Sequence, residues 1–240
     1  MKTKAIVFDK DGTLIDYSAF WYPVSKNAMQ LIYGRFGVLA DSADEMIAYM
    51  GVTPERTDIR GSLPRGDHTE IFTSIAKKVK SLGSDADFMD IVKYAVWAFG
   101  EVSKPFGEVK PTCVNMRKVI SSLKEKGLFI ALITSDEIVG ARISLDKLGV
   151  LDLFDEIIAH DGYSPAKPHP HYMDDFCARH GFSKDEVIMV GDTETDVLFA
   201  KNSGVFGIGV GKEGSNRDYL ASLGADITLP DISFIPEIVK

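Results

Sequence analysis

The residues in this chain best suited to chemistry are carboxylates. Asp9 and Asp11 stand one residue apart and are followed by Gly12 and Thr13. If the chain leaves extended geometry there, both carboxylates can point into one site, and Gly12 permits the sharp turn this needs. Two neighbouring carboxylates repel unless a proton or a cation lies between them. A hard cation such as Mg²⁺ takes oxygen ligands and typically keeps some of its waters. A third carboxylate, Asp192, follows Gly191, and Asp196 lies one helical turn further along the same face. Asp196 could ligate the cation or support its ligands from outside. Thr134, Ser135 and Lys167 add two hydroxyls and an ammonium group.

Taken singly, each of these segments has a plainer reading. Asp-x-Asp-Gly is a common turn. Gly191-Asp192-Thr193 is a common helix start, with the Asp bonding backbone N–H groups. Thr134-Ser135-Asp136 is an ordinary helix entry, and a lysine before a proline is ordinarily a solvated loop residue. What sets the four apart is where the surrounding pattern puts them.

Residues 4–8 (Lys-Ala-Ile-Val-Phe) read as a short buried strand. From about residue 18 to 104 the pattern is helical: 18–36, 42–50, 67–82 and 84–102 read as helices, and no strand is convincing. Ser42 with Glu45 is a capping-box signature. From about residue 111 strands and helices alternate. Met116, Val119, Ile120 and Leu123 mark one apolar helix face, and Gly127 ends that helix. Strands follow at 128–133, 156–159, 187–190, 205–210 and 226–229, with helices between them at 136–148, 168–180, 193–203 and 215–223. Such alternation implies a parallel sheet covered on both faces. The fold class is α/β: a doubly wound, Rossmann-like parallel core over residues 1–15 and 105–240, with an all-helical insertion over 16–104. In such sheets a site forms beyond the carboxyl ends of the strands, where strand order reverses. Asp9–Thr13, Thr134–Asp136, the segment through Lys167, and Asp192–Asp196 all follow predicted strands.

These four segments, in this order, resemble the signature of the haloacid dehalogenase superfamily in its phosphatase branch. The first motif of that family, Asp-x-Asp-Gly-Thr, is matched by Asp9-Lys10-Asp11-Gly12-Thr13. The second, a strand ending in Thr or Ser, is matched by Ala131-Leu132-Ile133-Thr134. The third, a lysine often found in Lys-Pro-x-Pro, is matched by Lys167-Pro168-His169-Pro170. The fourth, Gly-Asp-x-x-x-Asp, is matched by Gly191-Asp192 and Asp196. The pair Ser135-Asp136 departs from the Asn that many relatives carry after the Thr.

The resemblance implies roles. Asp9 would attack phosphorus and form an aspartyl-phosphate. Asp11 would protonate the leaving alcohol and then activate water. Mg²⁺ would sit on Asp9, the backbone carbonyl of Asp11, and Asp192, with Asp196, Gly12 and Thr13 in support. Thr134, with Ser135 beside it, and Lys167 would bind phosphoryl oxygens. The dehalogenases of the superfamily lack the second aspartate, and its ion pumps have Thr there, so Asp11 disfavours both. The stretch between Thr134 and Lys167 holds only a helix and a strand, which leaves the insertion at 16–104 as the cap, of the helical kind found in phosphoglycolate phosphatases. Mutases related to beta-phosphoglucomutase usually carry a hinge His, and residues 16–22 contain none. The expected function is therefore a Mg²⁺-dependent phosphomonoester hydrolase similar to phosphoglycolate phosphatases. The alternatives are a beta-phosphoglucomutase-like phosphotransferase or a non-catalytic regulatory member of the fold.

Specificity should reside in the cap, because the core recognises only phosphate. The loop-like segment 51–65 holds Arg56, Arg60 and Arg65. Arg56 or Arg60 could grip a substrate carboxylate through its planar fork, the plainer reading being solvated surface charge. Phe20, Trp21 and Tyr22 read as cap packing rather than an entrance lining, and His169 and His171 as helix-start residues, since two His alone fall short of a zinc pattern.

Composition narrows the partners. Lys and Arg total 27 against 35 Asp and Glu, a formal charge of −8. That argues against nucleic acid, which demands a basic face, but leaves room for a small phosphorylated metabolite in a locally positive pocket. Cys113 and Cys177 are far apart and read as buried apolar groups, which fits a reducing cytoplasm. No apolar stretch is long enough for a membrane span. A monomer or homodimer is expected.

Overall fold

The computed structural model describes residues 3–38 and 43–239, with the backbone alone described across 102–106. Contacts divide the chain into two compact units, Met1–Asp16 with Val109–Lys240, and Tyr17–Glu108.

The first unit is built on six strands: β1 (Ala5–Phe8), β2 (Phe129–Thr134), β3 (Glu156–Ala159), β4 (Val187–Gly191), β5 (Phe206–Val210) and β6 (Ile227–Leu229). All neighbours are parallel, in the order β3-β2-β1-β4-β5-β6. The chain therefore builds outward from β1 through β2 and β3, then returns to the other side of β1 at β4. The reversal lies between β1 and β4, which pair Ala5↔Val187 to Phe8↔Val190. That is where an open α/β sheet leaves a crevice for a ligand.

The β1 run is apolar throughout because both of its faces are covered. Ile6 and Phe8 face one core layer with Ile120 and Leu123 of α5 (Met116–Glu125) and Ala141 and Leu145 of α6 (Ile138–Lys147). Ala5 and Val7 face the other, with Met173 and Phe176 of α7 (His171–His180) and Phe199 and Ala200 of α8 (Glu194–Ser203). Helices α9 (Gly214–Leu223) and α10 (Ile235–Ile238) complete this unit.

The second unit holds α1 (Tyr17–Phe36), α2 (Ala43–Tyr49), α3 (His68–Ser81) and α4 (Phe88–Phe106). Its core joins Met29, Ile32 and Tyr33, Met46 and Ile47, Ile71, Ile75 and Val79, and Ile91, Ala95 and Ala98. The three- and four-residue spacing of Ile71, Ile75 and Val79 and of Ile91, Ala95 and Ala98 is the helical stripe that buries one face. Phe20, Trp21 and Tyr22 pack against this core. No strand occurs in this unit among the described residues; an isolated bridge joins Val52 and Thr57.

Several boundaries differ from the sequence reading. Helix α4 starts at Phe88 rather than Ser84, because the Asp87 carboxylate accepts from the N–H groups of Met89 and Asp90 and caps the helix there. It runs on to Phe106, so the units divide after Glu108 rather than after residue 104. Helix α6 starts at Ile138 rather than Asp136, whose N–H is turned back onto Thr134 Oγ1 at 3.2 Å. Ser42 lies outside the described residues.

Candidate active site

The turn after β1 is closed by its own backbone. Gly12 N–H donates to Ile15 O, and Leu14 and Ile15 N–H both donate to Lys10 O. Gly12 sits at φ +84°, a left-handed conformation that favours glycine, and a Cβ there would lie 1.9 Å from Asp192 Oδ2. Glycine at this position thus serves both the turn and the close approach of the β4 loop. Thr13, fully buried, donates from Oγ1 to Asp192 Oδ1 at 3.0 Å. The tip of β4 is equally tight: a Cβ on Gly191 would lie 2.2 Å from the Cβ of Asp196.

The two strand ends bring carboxylates together. Asp9, Asp192 and Asp196 are all buried, and each offers an oxygen within 4.8 Å of the others. Lys167 reaches in with a side chain only 4% exposed and bridges Asp9 Oδ1 and Asp196 Oδ1, 2.6 Å from each. The other oxygen of Asp196 accepts from Thr193 N–H at 3.2 Å and Thr193 Oγ1 at 2.7 Å, the reciprocal box that starts α8. Both oxygens of Asp196 are therefore occupied by protein donors, which suits holding Lys167 better than ligating a cation. Lys167 precedes Pro168 through a cis peptide bond.

Burial dominates the electrostatics. Desolvation, then the charge of Asp196, pushes Asp9 up to about 7 even against the opposing pull of Lys167. Desolvation and the charges of Asp196 and Asp9 push Asp192 well above the usual carboxylate range. Lys167 is raised by the charges of Asp196 and Asp9, which overcome the larger single effect of its desolvation. Three buried carboxylates against one ammonium leave the cluster short of positive charge. An all-oxygen donor set under that strain fits a hard divalent cation, and the residues positioned to hold one are Asp9 and Asp192.

Asp11 is not one of the three clustered carboxylates, although its charge adds to the rise of Asp9 and Asp192. Its Oδ1 accepts from Lys10 Nζ at 2.7 Å, and Lys10 also pairs with Asp136 Oδ2 at 3.2 Å. Thr134 is buried at the end of β2, whereas Ser135 is exposed. In the second unit, Arg60 forks onto Asp58 through Nε–Oδ1 at 2.9 Å and Nη2–Oδ2 at 3.1 Å. Arg56 is exposed, and no side-chain hydrogen bond of its own occurs among the described residues. The sequence reading missed Lys10, Thr193 and Asp136. The one available signal was a charged residue between Asp9 and Asp11, directly after a buried strand. His171 begins α7 and donates its N–H to His169 Nδ1. Cys113 and Cys177 are free and buried, with their thiols pushed up by desolvation.

A doubly wound parallel sheet with a buried carboxylate–lysine cluster at its reversal defines an α/β enzyme core whose cluster comes from the loops after β1, β3 and β4. Comparison with known proteins narrows that class: the family described as haloacid dehalogenase-like hydrolase matches residues 3–204. The chain belongs to the haloacid dehalogenase-like hydrolases. Among curated relatives, a phosphoglycolate phosphatase of Vibrio cholerae serotype O1 is 24% identical over 238 residues, covering 98% of this chain and 96% of its own. The pyrophosphatase PpaX of Halalkalibacterium halodurans is 26% identical over 240 residues, covering 100% of this chain and 98% of its own. Among solved structures, a predicted phosphoglycolate phosphatase from Haemophilus somnus superposes with a TM-score of 0.72 at 19% identity, covering 100% of this chain and 99% of that one. This last likeness concerns the fold alone.

Proposed function

We propose that this hydrolase is a Mg²⁺-dependent phosphatase that cleaves a small phosphorylated metabolite by way of an aspartyl-phosphate on Asp9. The observation that carries the reading is the convergence of Asp9, Asp192 and Lys167 at the reversal between β1 and β4. A bound Mg²⁺ would neutralise the phosphate and favour the ionised form of the carboxylates around it. A carboxylate oxygen of Asp9 attacks phosphorus, and the bond from phosphorus to the alcohol oxygen breaks. The departing oxygen takes its proton from Asp11. Asp11 then accepts a proton from a water that attacks the acyl-phosphate, releasing phosphate and restoring Asp9. Lys167 and Thr134, with Ser135 beside it, hold the non-bridging oxygens, and Asp196 holds Lys167 in place.

Supporting this reading are the family match, the curated phosphatase relatives over nearly the full chain, and an acidic residue at each position the chemistry requires. The helical unit would carry substrate selectivity. Phosphoglycolate and inorganic pyrophosphate are the first substrates to compare, since the relatives' names specify them. The test is hydrolysis of a panel of phosphate esters with Mg²⁺ and with excess chelator, alongside intact-mass detection of a phosphoryl adduct. Turnover should require the cation, and Asp9→Asn should yield neither adduct nor turnover. Full activity in chelator would remove the metal assignment, and an adduct on Asp9→Asn would remove Asp9 as nucleophile.

A further inference from the structure

The two carboxylates of Asp9-Lys10-Asp11 are held by different lysines. Asp9 is paired with Lys167 and lies within the buried acidic cluster. Asp11 is paired with Lys10 and lies outside it. Lys10 is 1% exposed, in the loop that leaves β1. Burying an ammonium group is costly unless it is paired, and a lysine in a surface turn would ordinarily keep its charge in water. Here the charge is retained beneath the surface, between Asp11 Oδ1 at 2.7 Å and Asp136 Oδ2 at 3.2 Å. Asp136 is tied in turn to the β2 end, its N–H donating to Thr134 Oγ1 at 3.2 Å. One buried side chain thus links the proton-carrying carboxylate to the loop that bears Thr134.

We infer that Lys10 is a positioning residue for Asp11: it keeps the Asp11 carboxylate out of the cation-binding cluster and aimed for proton transfer, in register with the Thr134 loop. This deepens the proposed phosphatase reading and rests on it. The physical argument is competition. An unheld carboxylate two residues from Asp9 would be drawn to a divalent cation between Asp9 and Asp192, where it could no longer exchange a proton with the leaving group. Lys10 already gives Asp11 a counter-charge at 2.7 Å, and Asp136 pairs with the same ammonium group at 3.2 Å.

The experiment measures the phosphoryl-transfer step by rapid quench, on an alkyl phosphate and on an aryl phosphate, in wild type, Lys10→Met, Asp11→Asn and the double variant. An aryl leaving group needs little protonation, so a defect in aiming the acid falls on the alkyl substrate. Misplacing a catalytic group by about 1 Å can cost about 10²-fold, and a loss of that order is expected for Lys10→Met on the alkyl phosphate, with a much smaller loss on the aryl phosphate. In the double variant, Lys10→Met should add nothing to the loss caused by Asp11→Asn, because its effect runs through that carboxylate. Circular-dichroism melts establish that each variant is folded at the assay temperature. Should Lys10→Met fail to fold, Lys10→Gln, which keeps a donor but no charge, takes its place with the same expected pattern at smaller size. Equal losses on the two substrates, or losses that multiply in the double variant, would overturn the role of Lys10 while leaving Asp11 as the acid. Asp11→Asn without any preference between the substrates would instead overturn the reading of Asp11 itself.

Discussion

The β1–β4 reversal and the 51–61 loop of the helical unit both use glycine to bring backbone segments close, and both contain carboxylates paired with cations. A Cβ on Gly12 would strike Asp192, and a Cβ on Gly61 would lie 2.3 Å from Met50 O. The pairs differ in burial. Lys167 and Asp196 are 4% and 3% exposed, whereas Arg60 and Asp58 are 53% and 32% exposed. In water an ion pair contributes about 0–1 kcal/mol and its partners remain solvated if it breaks. Away from water, removing one partner strands the other, at a cost of about 3–5 kcal/mol. The same residue types thus make a rigid, high-stakes cluster in one place and an adaptable surface in the other. In the proposed function, chemistry falls to the first and substrate choice to the second.

The sharpest way to break this comparison is Lys167→Met. It leaves Asp9 and Asp196 buried without their shared cation. Stability by urea melt in chelator should fall by about 3–5 kcal/mol, and turnover should vanish. A loss below about 1 kcal/mol would show that the cluster is as forgiving as an exposed pair.

A smaller effect should appear in the pH dependence of the metal-free protein. Asp9 is raised from 3.8 to about 7, and Asp192 is raised as well. Both hold protons in the folded state that the unfolded chain has already released, so stability falls as pH rises through this range. For Asp9 the contribution is fully present below about pH 4, where the unfolded carboxyl is also protonated, and is lost as pH rises through about 7; Asp192 acts in the same direction. The half-buried carboxylate of Asp58 and the exposed one of Asp152 are lowered, so their contributions fade only on acidification below that window. Melting temperature in chelator should therefore be higher at pH 5 than at pH 8, with Mg²⁺ restoring more of it at pH 8. Asp192→Asn should flatten the slope. A melting temperature that rises from pH 5 to pH 8 in both proteins would contradict the burial argument.

The smallest effects should come from the helical unit. Arg60→Ala should change stability by no more than about 1 kcal/mol, because its pair with Asp58 is solvated. Arg56→Ala should leave the melting temperature unchanged. If Arg56 grips a substrate carboxylate, this variant should raise KM for a carboxylate-bearing ester and leave an uncharged aryl phosphate untouched. Equal kinetics on both would make Arg56 a solvated charge and nothing more.

Most of the sheet was legible in the sequence because its signals are local. Buried strands read as apolar runs, and glycines mark the helix ends, as Gly181 and Gly204 do at the ends of α7 and α8. The strand ends carrying Asp9, Thr134 and Asp192 were legible for the same reason: chemistry-bearing residues follow directly on apolar runs. The start of α4 falls later than the 84–102 pattern suggests because the Asp87 carboxylate caps the helix there, and where a helix begins depends on how it packs.

The sequence by itself determined the α/β class, the helical insertion, and the residue types that arrive at four strand ends. Side-chain type and spacing encode these directly through burial and turn geometry. Only the tertiary structure decided which charge serves which partner. Lys167 lies far along the chain from Asp9, yet sits 2.6 Å from it. Lys10 is next to Asp9 in sequence but is paired with Asp11 and Asp136. Spacing offers Asp196 as a cation ligand or as a support, and the structure adds that its two oxygens accept from Lys167 and Thr193. Electrostatic pairing acts over a few ångströms and depends on burial, and both are set by the strand order β3-β2-β1-β4-β5-β6 rather than by distance along the chain.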